Sequence, residues 1–202
     1  MDRKKALGSK DSAKTIEALQ DLHADLFSAF KDQYDRSLPF SDEVFDRWER
    51  AKKLGWGERS SVYDSAFVFG EAIVGKDTWV GPFTMIDGSG KLVIGDNCTI
   101  SAGVHIYTHN NLKKTLSGGK MAIEREPVII GSCTYIAPQS IISMGITIGK
   151  HCVIAANSFV DESFPDYAII AGNPAKQIGQ VIIKKDQIKF DYSSPFENQA
   201  QA

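Results

Sequence analysis

VIIGSCTYIAPQSIISMGITIGKHCVIAANSFV, residues 128–160, decides the fold. Within it Ile130, Ile136, Ile142, Ile148, Ile154 and Val160 fall six residues apart. Working outward, Val62, Val68, Val74, Val80 and Ile86 keep the same spacing. After a two-residue slip it continues through Ile94, Ile100 and Ile106. The residue after each opener is often Gly, Ala or Ser, and the residue four places on is small or compact, as in Ala66, Thr78, Thr84, Cys98, Thr134, Ser140, Cys152 and Ser158. A fixed period dictates architecture before local propensity does. Six residues are too few for a helical hairpin but suit one short strand and a turn, repeated as a parallel β-helix. A β-sandwich would show period two and irregular turn spacing.

The spacing predicts that each opening Val or Ile points into the coil. Neighbouring coils then stack these side chains into an apolar ladder, worth about 1.5–3 kcal/mol per fully buried side chain before conformational entropy is counted. Small residues four places on fit the corners, and glycine at the second position tolerates close backbone approach.

The phrases IGDNCTISAGVHIYTH (94–109), PVIIGSCTYIAP (127–138), GITIGKHCVIAANSFV (145–160) and AGNPAKQIG (171–179) carry a family resemblance. They resemble the hexapeptide-repeat acyltransferases, and within them the maltose, galactoside and xenobiotic O-acetyltransferase branch. The resemblance implies a mainly β protein, a left-handed parallel β-helix with an N-terminal α-helical cap. The handedness comes from the family, because β-crossovers otherwise favour the right hand. It also implies acetyl-CoA as co-substrate, no metal, and a homotrimer whose active sites lie between subunits.

Three segments follow: an N-terminal helical segment over 1–58, the β-helix over 59–180 with a loop at about 108–127, and a tail over 181–202. Residues 1–10 are basic and expected to fray. Ser12 or Asp11 can cap a helix that runs to about Arg36, with apolar positions at helical spacing. Ser41 can cap a second helix through Leu54, stopped by Gly55. Such a pair would cover the open first coil, as terminal units of a solenoid require. The segment THNNLKKTLSGGKMAIEREP (108–127) is polar and breaks the beat, so it reads as a protruding loop and a place for function. The end FENQAQA (196–202) is expected to be disordered.

The chain has 202 residues and a formal net charge of −2, which gives no electrostatic case for nucleic acid. Cys98, Cys133 and Cys152 lie far apart and read as free thiols of a cytoplasmic protein, not as disulfides or a metal site. MDRKKALGSK lacks a following apolar core, so it is not a secretory signal, and no run approaches the roughly 18 apolar residues of a membrane span.

His109 is the candidate catalytic base. Acyl transfer to a hydroxyl or amine needs a base that titrates near neutrality within reach of the acceptor, and imidazole meets that need. The resemblance gives the histidine at this place that role. It also sets an acidic residue, here Asp87, against acceptor hydroxyls. Trp79 and Tyr107 can offer ring faces to a sugar. The galactoside enzymes carry an asparagine where this chain reads Trp79-Val80-Gly81-Pro82, which argues against galactoside or maltose as acceptor. For the donor, the matching positions are Ala137, Ser143, Ala155 and Ala156 along the later coils, with Lys176 against the CoA phosphates. Backbone N–H groups near Ser143 are candidates for the oxyanion. Glu124 and Glu126 are available to fix the histidine tautomer, and His105 reads as a wall residue.

The leading expectation is transfer of an acetyl group to a sugar hydroxyl by direct attack, in surface-polysaccharide synthesis. N-acetylation of an amino sugar or a nucleotide-linked amino sugar is the alternative. A non-catalytic assembly module is a third class. A metal-dependent carbonic anhydrase is a fourth, with His105, His109 and His151 as the only histidines of the coil.

Overall fold

The computed structural model describes residues 10–185 and 187–192. The expectations for residues 1–9 and for FENQAQA lie outside the described residues. The chain divides between Asp46 and Arg47 into two compact units.

In the first unit a helix spans Lys10–Tyr34 and a short one spans Phe40–Val44. Asp11 and Ser12 therefore lie inside the first turn, where the Asp11 carbonyl accepts the Thr15 hydroxyl. His23 meets the Phe40 ring edge-on. The expected second helix is broken: Phe45 is extended, and a separate helix spans Arg47–Lys53.

In the second unit the period of six becomes a three-faced parallel coil. On the first face the in-register partners run Val62, Val80, Ile100, Ile136, Ile154 and Ile170. On the second they run Val68, Ile86, Ile106, Ile142 and Val160. On the third they run Val74, Ile94, Ile130 and Ile148, with Phe164 bridging at the end. Nearly all of these side chains are fully buried and together form the core.

The small corner residues are there for hydrogen bonding as much as for size. Ser60 donates its hydroxyl to the Gly75 carbonyl and accepts the Thr78 amide. Thr78 does the same for Gly95 and Cys98, and Thr134 for Gly149 and Cys152. Each hydroxyl thus stitches one coil to the next and satisfies backbone groups that burial would otherwise strand. The third corner departs from the pattern: there Leu92, Val128 and Ile146 fill the interior. Glycine at the second position permits coil-to-coil contact, since a Cβ on Gly131 would lie 2.6 Å from the Gly149 carbonyl carbon.

The ends of the coil are closed differently. At the start, the helix Arg47–Lys53 packs on the strand Ser61–Val62 and buries Ala51, with Trp56 after it. Arg50 donates to the carbonyls of Tyr63 and Ala66, which no earlier coil satisfies among the described residues. At the other end Ala168–Gly172, Ala175–Lys184 and Gln187–Asp191 form an antiparallel extension, so Val181 to Lys184 of the expected tail pair with Gln187 to Phe190. Cys98 and Cys152 are buried free thiols and Cys133 is an exposed one. Among the described residues, no helix is long and apolar enough to cross a membrane.

Candidate active site

Two departures from the six-residue beat meet at one corner. Ile86 and Ile106 are in-register partners on the second face. The two-residue slip follows Ile86, and the loop follows Ile106. The slip lies inside the continuous strand Met85–Ile94, whose register with its neighbour shifts between Gly70 and Ala72. The extra residues bulge as Asp87-Gly88-Ser89-Gly90, directly beside Thr108 and His109 one coil on.

The bulge is tightly built. Asp87 is only 1% exposed. Its Oδ1 accepts the Ser89 amide at 3.0 Å, and its Oδ2 accepts the Thr108 amide at 2.8 Å. The same Oδ2 lies 2.6 Å from His109 Nδ1. Burial alone would raise the Asp87 pKa. Hydrogen bonds from the Ser89 hydroxyl, the Thr108 and Ser89 amides and His109 outweigh it and hold the carboxyl well below the usual carboxylate range. An ionised carboxylate has no proton to give, so the Nδ1 proton is assigned to His109, which donates it. Nε2 is left as the ring's acceptor. The His109 side chain is 39% exposed, so its outer nitrogen is open to a reactant while its inner one is fixed.

His109 opens onto a depression of about 380 Å³ lined by Tyr107, Asn110, Asn111, Ser143, Met144 and Phe159 among others. The structure thus brings together His109, Asp87, Tyr107 and Ser143. The loop returns as the strand Glu124–Arg125, antiparallel to His109–Asn110, around the short helix Leu112–Leu116.

Several expected residues stand elsewhere or are otherwise engaged. Asp87, set against an acceptor hydroxyl by resemblance, is enclosed and commits its oxygens to its own turn, Thr108 and His109. Glu124 pairs with Lys113, and the Glu126 carboxylate crowds Gly145, so neither holds the histidine. The Ser143 amide donates to the Val160 carbonyl at 2.9 Å and is not free for an oxyanion. Trp79 is on the first face, edge-on to Tyr63, and does not line the depression. Ala137 and Ala155 follow the first-face strands and give their amides to Ile154 and Ile170 of the next rung. Ala156 is exposed beside them. Lys176 pairs with Glu162 at 2.9 Å.

His105 shares a hydrogen bond with the Tyr107 hydroxyl, and His151 stacks on Tyr167. Among the described residues, no group of three His, Cys, Asp or Glu side chains is placed to hold a metal ion. Thr108 and Ser89 are site residues that the sequence reading passed over. The signals were the two breaks in the beat, the slip that carries Ser89 and the loop that begins at Thr108, since an insertion in a strict repeat has to go somewhere.

Residues 92–108 and 127–162 match the family described as the hexapeptide repeat of succinyl-transferase. The chain is similar to the galactoside O-acetyltransferase of Escherichia coli, 25% identical over 54% of this chain and 64% of that protein. It is similar to the chloramphenicol acetyltransferase of Agrobacterium fabrum, 25% identical over 69% of this chain and 73% of that protein. The chain spans about half the length of the first curated relatives it matches, 44% and 54%. Among solved structures it is similar to the hexapeptide-repeat containing acetyltransferase VCA0836 of Vibrio cholerae, with 25% identity, 82% and 92% coverage and a TM-score of 0.59. A likeness of fold extends to AntD, an N-acyltransferase from Bacillus cereus, with 19% identity, 67% and 90% coverage and a TM-score of 0.56.

Proposed function

We propose that this hexapeptide-repeat protein is an acyltransferase that moves an acetyl group from acetyl-CoA to a hydroxyl of a sugar, with His109 as general base. The observation that carries the reading is the 2.6 Å contact between His109 Nδ1 and the buried carboxylate of Asp87 at the edge of an open depression. Relatives named as acetyltransferases of a galactoside and of chloramphenicol support acetyl transfer and a hydroxyl-bearing acceptor.

In the proposed reaction Asp87 holds the Nδ1–H tautomer, and Nε2 takes the acceptor's hydroxyl proton as the oxygen attacks the thioester carbonyl. The tetrahedral intermediate collapses, the carbon–sulfur bond breaks, and the departing thiolate recovers the proton from Nε2–H. The proposed step uses no acyl-enzyme: Cys98 and Cys152 are buried, their pKa values raised by burial, Cys152 to about 11, and they donate to carbonyls of the coil, while the exposed Cys133 does not line the depression. The ionised carboxylate also stabilises the imidazolium that forms at the transition state. Ala137, Ser143, Ala155, Ala156 and Lys176 remain the proposed path of the CoA chain and phosphates. Lys176 would then exchange Glu162 for a phosphate. A homotrimer in the cytoplasm, acting in surface-polysaccharide synthesis, completes the proposal. The outward stripe Ile73, Val93 and Ile129 on the third face, 66%, 37% and 44% exposed, supports assembly.

The test is release of CoA thiol from acetyl-CoA across a panel of sugars and amino sugars. Turnover with hydroxyl acceptors supports the reading. Turnover with amino sugars alone moves it to N-acetylation. Failure to bind acetyl-CoA overturns it.

A further inference from the structure

Thr108 is fully buried, and each of its polar atoms is committed to one corner of the coil. Its amide donates to Asp87 Oδ2 at 2.8 Å. Its hydroxyl has one proton and two acceptors on the same residue, the Asp87 carbonyl at 2.8 Å and Asp87 Oδ2 at 3.0 Å. The hydroxyl oxygen in turn accepts the Gly90 amide at 2.8 Å. The Thr108 carbonyl accepts the Glu126 amide at 3.0 Å, where the loop rejoins the coil. Gly90 has no room for a side chain, because a Cβ there would stand 2.2 Å from the Thr108 carbonyl oxygen. One residue therefore ties together the bulge, the carboxylate and both ends of the loop that carries the histidine.

We infer that Thr108 is a positioning residue, whose hydroxyl fixes the rotamer of Asp87 and through it the Nδ1–H tautomer of His109. This rests on the reading of His109 as the base. The reason is geometric. Asp87 Oδ2 faces three donors at once, the Thr108 amide, the Thr108 hydroxyl and His109 Nδ1–H. A carboxylate held by two fixed donors presents its remaining lone pair in one direction. Without the hydroxyl the Gly90 N–H loses its acceptor inside the bulge, and the buried turn must rearrange to hydrate or re-pair it. The carboxylate then loses a donor and part of its rotational restraint. Thr108 never touches a reactant in this scheme, so its removal affects orientation rather than binding.

The experiment compares wild type with Thr108→Ser, Thr108→Val and Thr108→Ala. The first readout is the tautomer of His109, from the ring nitrogen and carbon shifts of the 15N-labelled full chain. The second is kcat and KM for acetyl-CoA with the best acceptor. Wild type and Thr108→Ser are expected to hold the Nδ1–H form. Thr108→Val and Thr108→Ala are expected to shift toward the Nε2–H form that an unconstrained histidine side chain favours, with kcat down about tenfold to 10²-fold and KM for acetyl-CoA unchanged. Thr108→Ala keeps the test open if Thr108→Val does not fold. Unchanged tautomer and kcat in the folded hydroxyl-free variants overturns the inference, as does equal loss in Thr108→Ser. If no variant and no wild type turns over any acceptor, the base reading fails while the tautomer readout still decides the role of Thr108.

Discussion

Ile86 and Ile106 are in-register partners on adjacent coils, and the six-residue beat fails immediately after each of them. The extra residues after Ile86 carry Asp87 and Ser89. The excursion after Ile106 carries Thr108 and His109. The site is thus made of two insertions stacked on one corner of a scaffold that is otherwise regular. In the proposed reaction the coil supplies the precision and the insertions supply the chemistry.

Removing the slip should separate fold from function. Deleting Ser89 and Gly90 sets Ile94 six residues beyond Ile86 again. The expected product is a folded coil, judged by circular dichroism and a cooperative melt, with acetyl transfer reduced as far as in His109→Ala. A variant that folds and keeps wild-type turnover would detach the bulge from the site.

Asp87 also makes a prediction about acid. Its folded-state pKa is depressed below the ordinary value of 3.8, so its hydrogen bonds stabilise the fold above that value. That contribution is lost as pH falls from 3.8 toward the lower folded value. Asp87→Asn should melt lower than wild type at pH 7. It should also lose less on going from pH 5 to pH 3, where unfolded wild type takes up a proton on Asp87 that the folded protein does not. Parallel melting curves across that range for both proteins would contradict the assignment.

Thiol chemistry should follow burial. Cys133 is exposed, whereas Cys98 and Cys152 are enclosed with their pKa values raised. Native protein should release about one equivalent of thionitrobenzoate quickly at pH 8, and three only after denaturation. Three fast equivalents in native protein would mean that the corners open.

Ile136 stands between Ile100 and Ile154 on the first face and is fully buried. Ile136→Ala is expected to cost about 2–5 kcal/mol of unfolding free energy, the range for a large-to-small change in a packed core. Its neighbour Tyr135 points outward at 43% exposure, so Tyr135→Ala should cost far less in the same denaturant titration.

The coil was legible because burial alternates with a period that the side chains must repeat. Val62 through Val160 announce which residue points inward at every rung, and the structure places them there. The break in the second helix at Phe45 was not legible, because Val44, Phe45 and Trp48 keep helical spacing whether or not the backbone does. The pairing of Ala175–Lys184 with Gln187–Asp191 was hidden for a related reason, since one apolar stretch does not say what it pairs with. In the candidate site, His109 was proposed from context and type, and the structure sets its Nδ1 2.6 Å from Asp87. The role of Asp87 did not, because periodicity locates a corner without giving the direction of a carboxylate on it. That direction depends on Thr108 and Ser89, two residues whose hydroxyls look ordinary in a sequence full of small polar corners.

The most direct measurement of the central claim is acetyl-CoA turnover by thiol release for wild type, His109→Ala and Asp87→Asn with the best acceptor, alongside acetyl-CoA binding by calorimetry. The account predicts that both variants bind acetyl-CoA as wild type does. It predicts that His109→Ala loses about 10²–10⁴-fold in kcat, the range of a general base, and that Asp87→Asn loses a substantial part of the same factor. Wild-type turnover in folded His109→Ala would contradict it.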